Sequence, residues 1–192
     1  MNKVSSKKTK PESIQVNLGS EIGQYVDIIL KESDRGAVIL CGTIIEEFVQ
    51  EKFLPPKPRF NFDQKIAILK NFFVPTGLSD VLSNIRDIRN TAAHSKDAFS
   101  FSNLGQQFSN NLVNQTSKMG VYKQVENFKL SDRSNLKKTQ EITFRELINK
   151  LPKGQGSERL EFLLVIIAVI TYLSALSDSG IMQLKKFIPD LK

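Results

Sequence analysis

The stretch from Leu160 to Leu176 limits what this chain can fold into more than any other. It is apolar nearly all round, with Glu161 at its start and Thr171 and Ser174 inside it. A helix with no polar stripe has to be surrounded by apolar material on every side. A bilayer would satisfy that need, but the uninterrupted part, Phe162 to Leu176, is short of the ~20 residues a membrane span requires. The expectation is a central helix wrapped by other helices, with no membrane as partner.

The remaining sequence supplies those helices. Ile22, Tyr25, Val26 and Ile29 recur at helical spacing. A stronger helix is expected from Ser33 to Leu54, capped by Ser33 or Asp34, with Val38, Cys41, Ile45, Phe48, Val49 and Phe53 as its apolar positions. Pro55-Pro56-Lys57-Pro58 ends it. Asn61 and Gln64 form a capping box ahead of Ile66, Leu69, Phe72 and Phe73. Pro75-Thr76-Gly77 breaks that helix. The next runs from Ser79 to Ser95 with Leu78, Leu82, Ile85, Ile88 and Ala92 on one face, and another covers Leu104 to Val113. Residues 114–140 are polar, basic and weakly periodic; they read as a long loop or insertion, with a short strand near Val121 to Val125. Thr143 to Glu146 is a second capping box, opening a short helix to Leu151. Pro152 to Gly156 is a turn, and a last short helix covers Met182 to Ile188.

The expected fold is therefore an all-α bundle of about six to eight helices. A basic, disordered tail over residues 1–18 precedes one helical domain over 19–192, with the polar insertion around 114–140.

Composition removes several function classes. The single Cys41 excludes an internal disulfide and lies in an apolar run, so it reads as a buried thiol. One His and one Cys cannot build a conventional zinc site, so no metal is expected. There is no phosphate-cradling glycine loop and no nucleophile elbow, so no cofactor is expected. The N-terminus has no apolar segment behind its lysines; it does not read as a secretory signal, and the expected location is the cytoplasm. The formal charge of +7 is uneven. Residues 1–13 carry four Lys against one Glu, and residues 129–153 carry seven Lys or Arg against Asp132, Glu141 and Glu146. Basic patches attract nucleic acid or acidic proteins, though they also simply maintain solubility.

The only histidine lies in Ile85-Arg86-Asp87-Ile88-Arg89-Asn90-Thr91-Ala92-Ala93-His94. Arg86, Asn90 and His94 are four residues apart and share one stripe of a helix. Arg89 lies about 140° from His94 around the helix and one turn earlier, with a side chain long enough to reach the same edge. Asp87 can pair with a nearby Arg or with one across a helix interface. Such a set suits a phosphodiester. Arg binds phosphate bidentately and stabilises developing charge, and His exchanges a proton near neutral pH. With RNA, the 2′-OH can be the nucleophile and no metal is needed. The alternative is structural: a His at a helix C-terminus is favoured by the helix dipole.

Arg89-Asn90 followed by His94 resembles the R-x(4–6)-H motif of the HEPN superfamily. Glu32 to Ala37, Glu46, Phe62 to Ile66, Ile85 to Ser95 and Phe99 to Phe101 together resemble the mannitol-operon repressor (MltR) family. The helix behind Ser157-Glu158-Arg159 also fits, whereas 114–140 aligns with nothing. The MltR resemblance implies a helical, homodimeric regulatory protein acting through protein or nucleic-acid contacts. The HEPN resemblance implies a metal-independent endoribonuclease of a toxin or defence system. In that case Arg89 and His94 would be catalytic, with Asn90 supporting them. Asp34, Arg35 and Glu46, with Arg86 and Asp87, would line the cleft or form structural ion pairs. The implied partners are a second copy of the chain and an RNA or regulatory protein.

Overall fold

The computed structural model describes residues 26–71, 76–105, 107–132, 140–152 and 156–187. The expected tail over 1–18, and residues Ile22, Tyr25, Phe72, Phe73, Pro75 and Ile188, lie outside them. The described chain is mostly helical. Residues 26–31 form α1. They are followed by α2 (Asp34–Phe53), α3 (Phe62–Asn71) and α4 (Thr76–His94). A 3-10 turn (Phe101–Asn103) and a π-helix (Gln107–Val113) lead into α5 (Asn114–Ser117) and α6 (Gly120–Glu126). Strands β1 (Lys129–Asp132) and β2 (Gln140–Thr143), then α7 (Phe144–Lys150) and α8 (Ser157–Phe187), complete the order.

Local signals account for several boundaries. The Ser33 hydroxyl accepts from the Gly36 amide and caps α2. Asn61 and Gln64 bond each other's backbone amides reciprocally at 2.9 and 3.0 Å, as a capping box requires. Thr143 and Glu146 do the same for α7.

α8 is the axis of the bundle. Every residue from Phe162 to Val169 is buried, on all sides of the helix. α2, α6 and α7 pack against it, and α4 packs on α2. By length and composition Ser157–Ser177 could cross a membrane, but 67% of it is covered by the chain itself, as the core reading requires. Phe101, Phe108 and Phe162 form a mutual ring cluster with centroids 5.1 to 6.2 Å apart, which clamps the 3-10 turn and the π-helix onto α8.

Four sequence expectations are corrected. Val121 to Val125 is helix α6, not a strand. Tyr122 and Val125 stand three residues apart and are both buried, so packing against α8 overrides their β propensity. Residues 114–132 are not a loop: they hold α5, α6 and β1, and β1 pairs antiparallel with β2 from Lys129↔Thr143 to Asp132↔Gln140. Within the helix expected over Leu104 to Val113, Gln107–Val113 is a π-helix, and a 3-10 turn, Phe101–Asn103, lies before it. The helices at Leu160–Leu176 and Met182–Ile188 are one continuous helix to Phe187. Gly180 lies within it; a helix interior tolerates one Gly at about 1 kcal/mol while propagation adds a bond per residue.

Candidate functional site

The Arg-to-His segment is the last two turns of α4, and α2 lies alongside it. Ile85, Ile88 and Ala92 are fully buried, which fixes how the remaining positions are presented. Arg89 falls at the edge of the buried face, turned toward α2. Its Nη1 is 2.8 Å from Glu46 Oε2. The other Glu46 oxygen, Oε1, is 3.5 Å from Lys65 Nζ, which also donates to the Glu46 carbonyl at 3.0 Å. One carboxylate on α2 thus holds a cation from α3 and a cation from α4. Lys65 is 2% exposed, so its charge is tolerated only because these partners replace water.

Gly42, one turn before Glu46, makes room for this. A Cβ there would stand 2.7 Å from Arg89 Cδ and 3.2 Å from Cγ. The Arg89 stem therefore lies directly on the α2 backbone before its head reaches Glu46.

Asn90 and His94 face away from this cluster and are exposed. Among the described residues, no hydrogen bond or ion pair joins His94 to Arg89 or Asn90. Arg86, expected on the same stripe, turns instead to α3: it pairs with Asp63 and, at 2.6 Å, with Asp87. The hydrogen bonds it donates to Asp87 first, then to Asp63, raise its pKa above the ordinary arginine value. The Arg86/Asn90/His94 stripe is therefore divided, with one member engaged and two facing outward.

The residues of the α2 N-terminus reach the segment from the other side. Arg35 Nη2 donates to the carbonyls of Ser95 at 2.8 Å and Asp97 at 2.6 Å, fixing the chain just past His94. Asp34 takes a different route. It accepts from the Phe101 amide at 3.2 Å and lies 3.1 Å from Arg159 Nε on α8. Arg159 also donates to the carbonyls of Leu30, at 3.0 Å, and Glu32. Gly156, with φ of +105°, lets the turn before α8 pass against Leu30. Of the residues singled out in the sequence, the fold brings Glu46 to Arg89 and Arg35 to the end of the motif. Asp34 serves the α1–α2–α8 joint.

Two sets of residues were not singled out in the sequence. Lys65 and Gly42 complete the Glu46 cluster; a Gly inside the strongest helical pattern is the signal that marks close approach. The second set is remote. Arg145 on α7 bonds Glu161 of α8 at 2.7 and 3.0 Å, Glu126 of α6 at 2.6 Å and the Tyr122 hydroxyl at 2.9 Å. Tyr122 donates to Glu161 at 2.6 Å. Burial, then the bond to Glu161, pushes the Tyr122 phenol well above its ordinary value. Burial alone would lower Arg145, but Glu161 outweighs it and holds the guanidinium charged. Cys41 is buried between α2 and its neighbours, and burial pushes its thiol up to about 12, so it is inert as a nucleophile at neutral pH.

Among the described residues no group of three or more His, Cys, Asp or Glu is arranged to hold a metal ion. Comparison with curated proteins and with solved structures found no match. Residues 24–142 match a family described as a domain of unknown function, DUF4145. The match takes in α2 to α4, with Glu46, Lys65, Arg89 and His94, and covers well over half of the 192 residues. The chain belongs to the DUF4145 family.

Proposed function

We propose that this chain is an MltR-like regulatory or interaction protein that works through contacts with a protein or nucleic acid rather than by cutting RNA. The observation that carries this is the pairing of Arg89 with Glu46 at 2.8 Å. Metal-free cleavage asks an arginine to neutralise charge developing on a phosphate. Arg89 already faces a carboxylate, and that carboxylate would repel the phosphate. Asn90, Ala93 and His94 are exposed and available as a contact surface. In this role the chain acts in the cytoplasm as a homodimer.

One observation favours a second function. Asn90 and His94 are both exposed on one helix stripe, where a partner protomer's arginine could complete a cleft. The chain would then be a metal-independent endoribonuclease, with His94 as general acid or base and Arg89 as phosphate ligand.

Mixed RNA incubated in EDTA with the wild type, His94→Ala and Arg89→Ala separates the two. The binding role predicts intact RNA throughout, with Arg89→Ala alone melting at lower temperature. Cleavage by the wild type to 2′,3′-cyclic phosphate ends, lost in His94→Ala, overturns it. A photo-crosslinking residue at position 94 should capture protein or nucleic acid in cells; its failure to capture either also counts against a contact role.

A further inference from the structure

At the opposite end of α4 from His94, an open cavity of about 470 Å³ lies between α4, the α5–α6 junction and α8. Leu78, Met119 and Tyr172 are its large apolar lining residues. Asp80 and Lys118 also line it, and both are exposed. Among the described residues neither makes an ion pair, with the other or with any third group, and the Tyr172 hydroxyl has no hydrogen-bond partner. Gln115 is positioned more firmly. Its side-chain oxygen accepts from Asn84 Nδ2 at 3.0 Å, which leaves its amide nitrogen as a donor on the wall.

The wall carrying Gln115 and Lys118 directly follows the π-helix Gln107–Val113. π-Helices are rare, and they concentrate at functional sites because they re-aim the residues that follow. Here the π-helix is pinned to α8 through Phe108, so the direction in which α5 leaves it is set by the core.

We infer that this cavity binds a small zwitterion: a free α-amino acid or dipeptide with an apolar side chain. The chemistry is complementary at three points. Asp80 offers a carboxylate to an ammonium, and Lys118 offers an ammonium to a carboxylate. Leu78, Met119 and the Tyr172 face cover an apolar side chain, and the volume falls in the range of small-molecule sites. A plain anion would meet Asp80 and a plain cation would meet Lys118, so a ligand with both charges fits where either alone does not. The inference is independent of what Asn90 and His94 contact.

The test is calorimetric titration of the full chain with leucine, phenylalanine and their dipeptides, up to about 10 mM. Each is compared with its N-acetyl and C-amide derivative. The expected result is saturable binding weakened at least about tenfold by removing either charge from the ligand. Asp80→Asn should abolish the difference between the free and N-acetylated ligand, and Lys118→Met the difference between acid and amide. Both positions are exposed, and unchanged melting temperatures identify folded variants. No heat or melting shift with any of these ligands overturns the inference. So does equal binding of acetate or an alkylamine, or binding indifferent to both variants.

Discussion

Two of the ionic clusters among the described residues are built with opposite polarity. Between α2, α3 and α4 a carboxylate, Glu46, sits between two cations, Lys65 and Arg89. Between α6, α7 and α8 a cation, Arg145, sits between two carboxylates, Glu126 and Glu161, with Tyr122 closing the ring. In each case the central residue comes from a different element than its partners, so removing it leaves two like charges facing each other. The clusters differ in shielding. Removing Glu46 leaves Lys65, whose side chain is 3% exposed, whereas removing Arg145 leaves Glu161 and Glu126 at 15% and 26%. Water can relieve the second cluster when it is broken, but not the first.

The largest effect should therefore come from Glu46→Ala, which strands a buried ammonium: a loss of about 3 kcal/mol, read from denaturant midpoints at constant slope. Arg145→Ala should lose less, about 2 kcal/mol. Equal losses, or a reversed order, would mean that shielding does not separate the two clusters. Alkaline titration sharpens the contrast, because only the second cluster contains a phenol. Tyr122 has a raised pKa in the folded chain, so stability is undiminished below its ordinary value of 10.0 and falls as pH rises above it. The slope stays below the ~1.4 kcal/mol per pH unit that one ionising group can give. The difference between wild type and Tyr122→Phe isolates it from the parallel contribution of Cys41, which begins near 9.0.

A smaller effect carries a change of sign. Gly42→Ala should destabilise by about 1 kcal/mol, since the new methyl displaces the Arg89 stem from its place on α2. In an Arg89→Ala background the same change should stabilise by about 1 kcal/mol, because only the helix propensity of Ala over Gly remains. Identical signs in both backgrounds would show that Arg89 does not rest on Gly42. The smallest effect is expected at His94. With no partner among the described residues, His94→Ala should shift stability by less than about 0.5 kcal/mol, within about 2 °C of the wild-type melting temperature.

What could be read from the sequence follows the range of the forces involved. Caps are local, and both capping boxes form as written. The core stripe of α4 and the enclosure of Phe162 to Val169 were legible because burial imposes a period, or abolishes one, along a single helix. Residues 114–126 read otherwise because their order comes from α8, more than thirty positions later; Tyr122 looks like a strand residue until Glu161 and the α8 surface are beside it. The candidate site was half legible. Helical geometry places Arg89 about 140° from His94, but the expectation that its side chain reaches the His94 edge does not hold: it turns to Glu46 on α2. That geometry could not show that Arg89 would turn to Glu46, or that Arg86 would leave the stripe for Asp63, because both partners lie on other helices.

The position of α8 has a consequence for how this protein is made. Its principal helical partner, α2, ends at Phe53, and α8 begins at Ser157. Ribosomes work from the N-terminus at about 5–20 residues per second, so about 5–20 s separate the two. Throughout that interval the face of α2 that will meet α8 has no partner on the nascent chain, and the Leu30 and Glu32 carbonyls await Arg159. The bundle is completed by its last described helix, and until that helix is released the growing polypeptide is a substrate for chaperones.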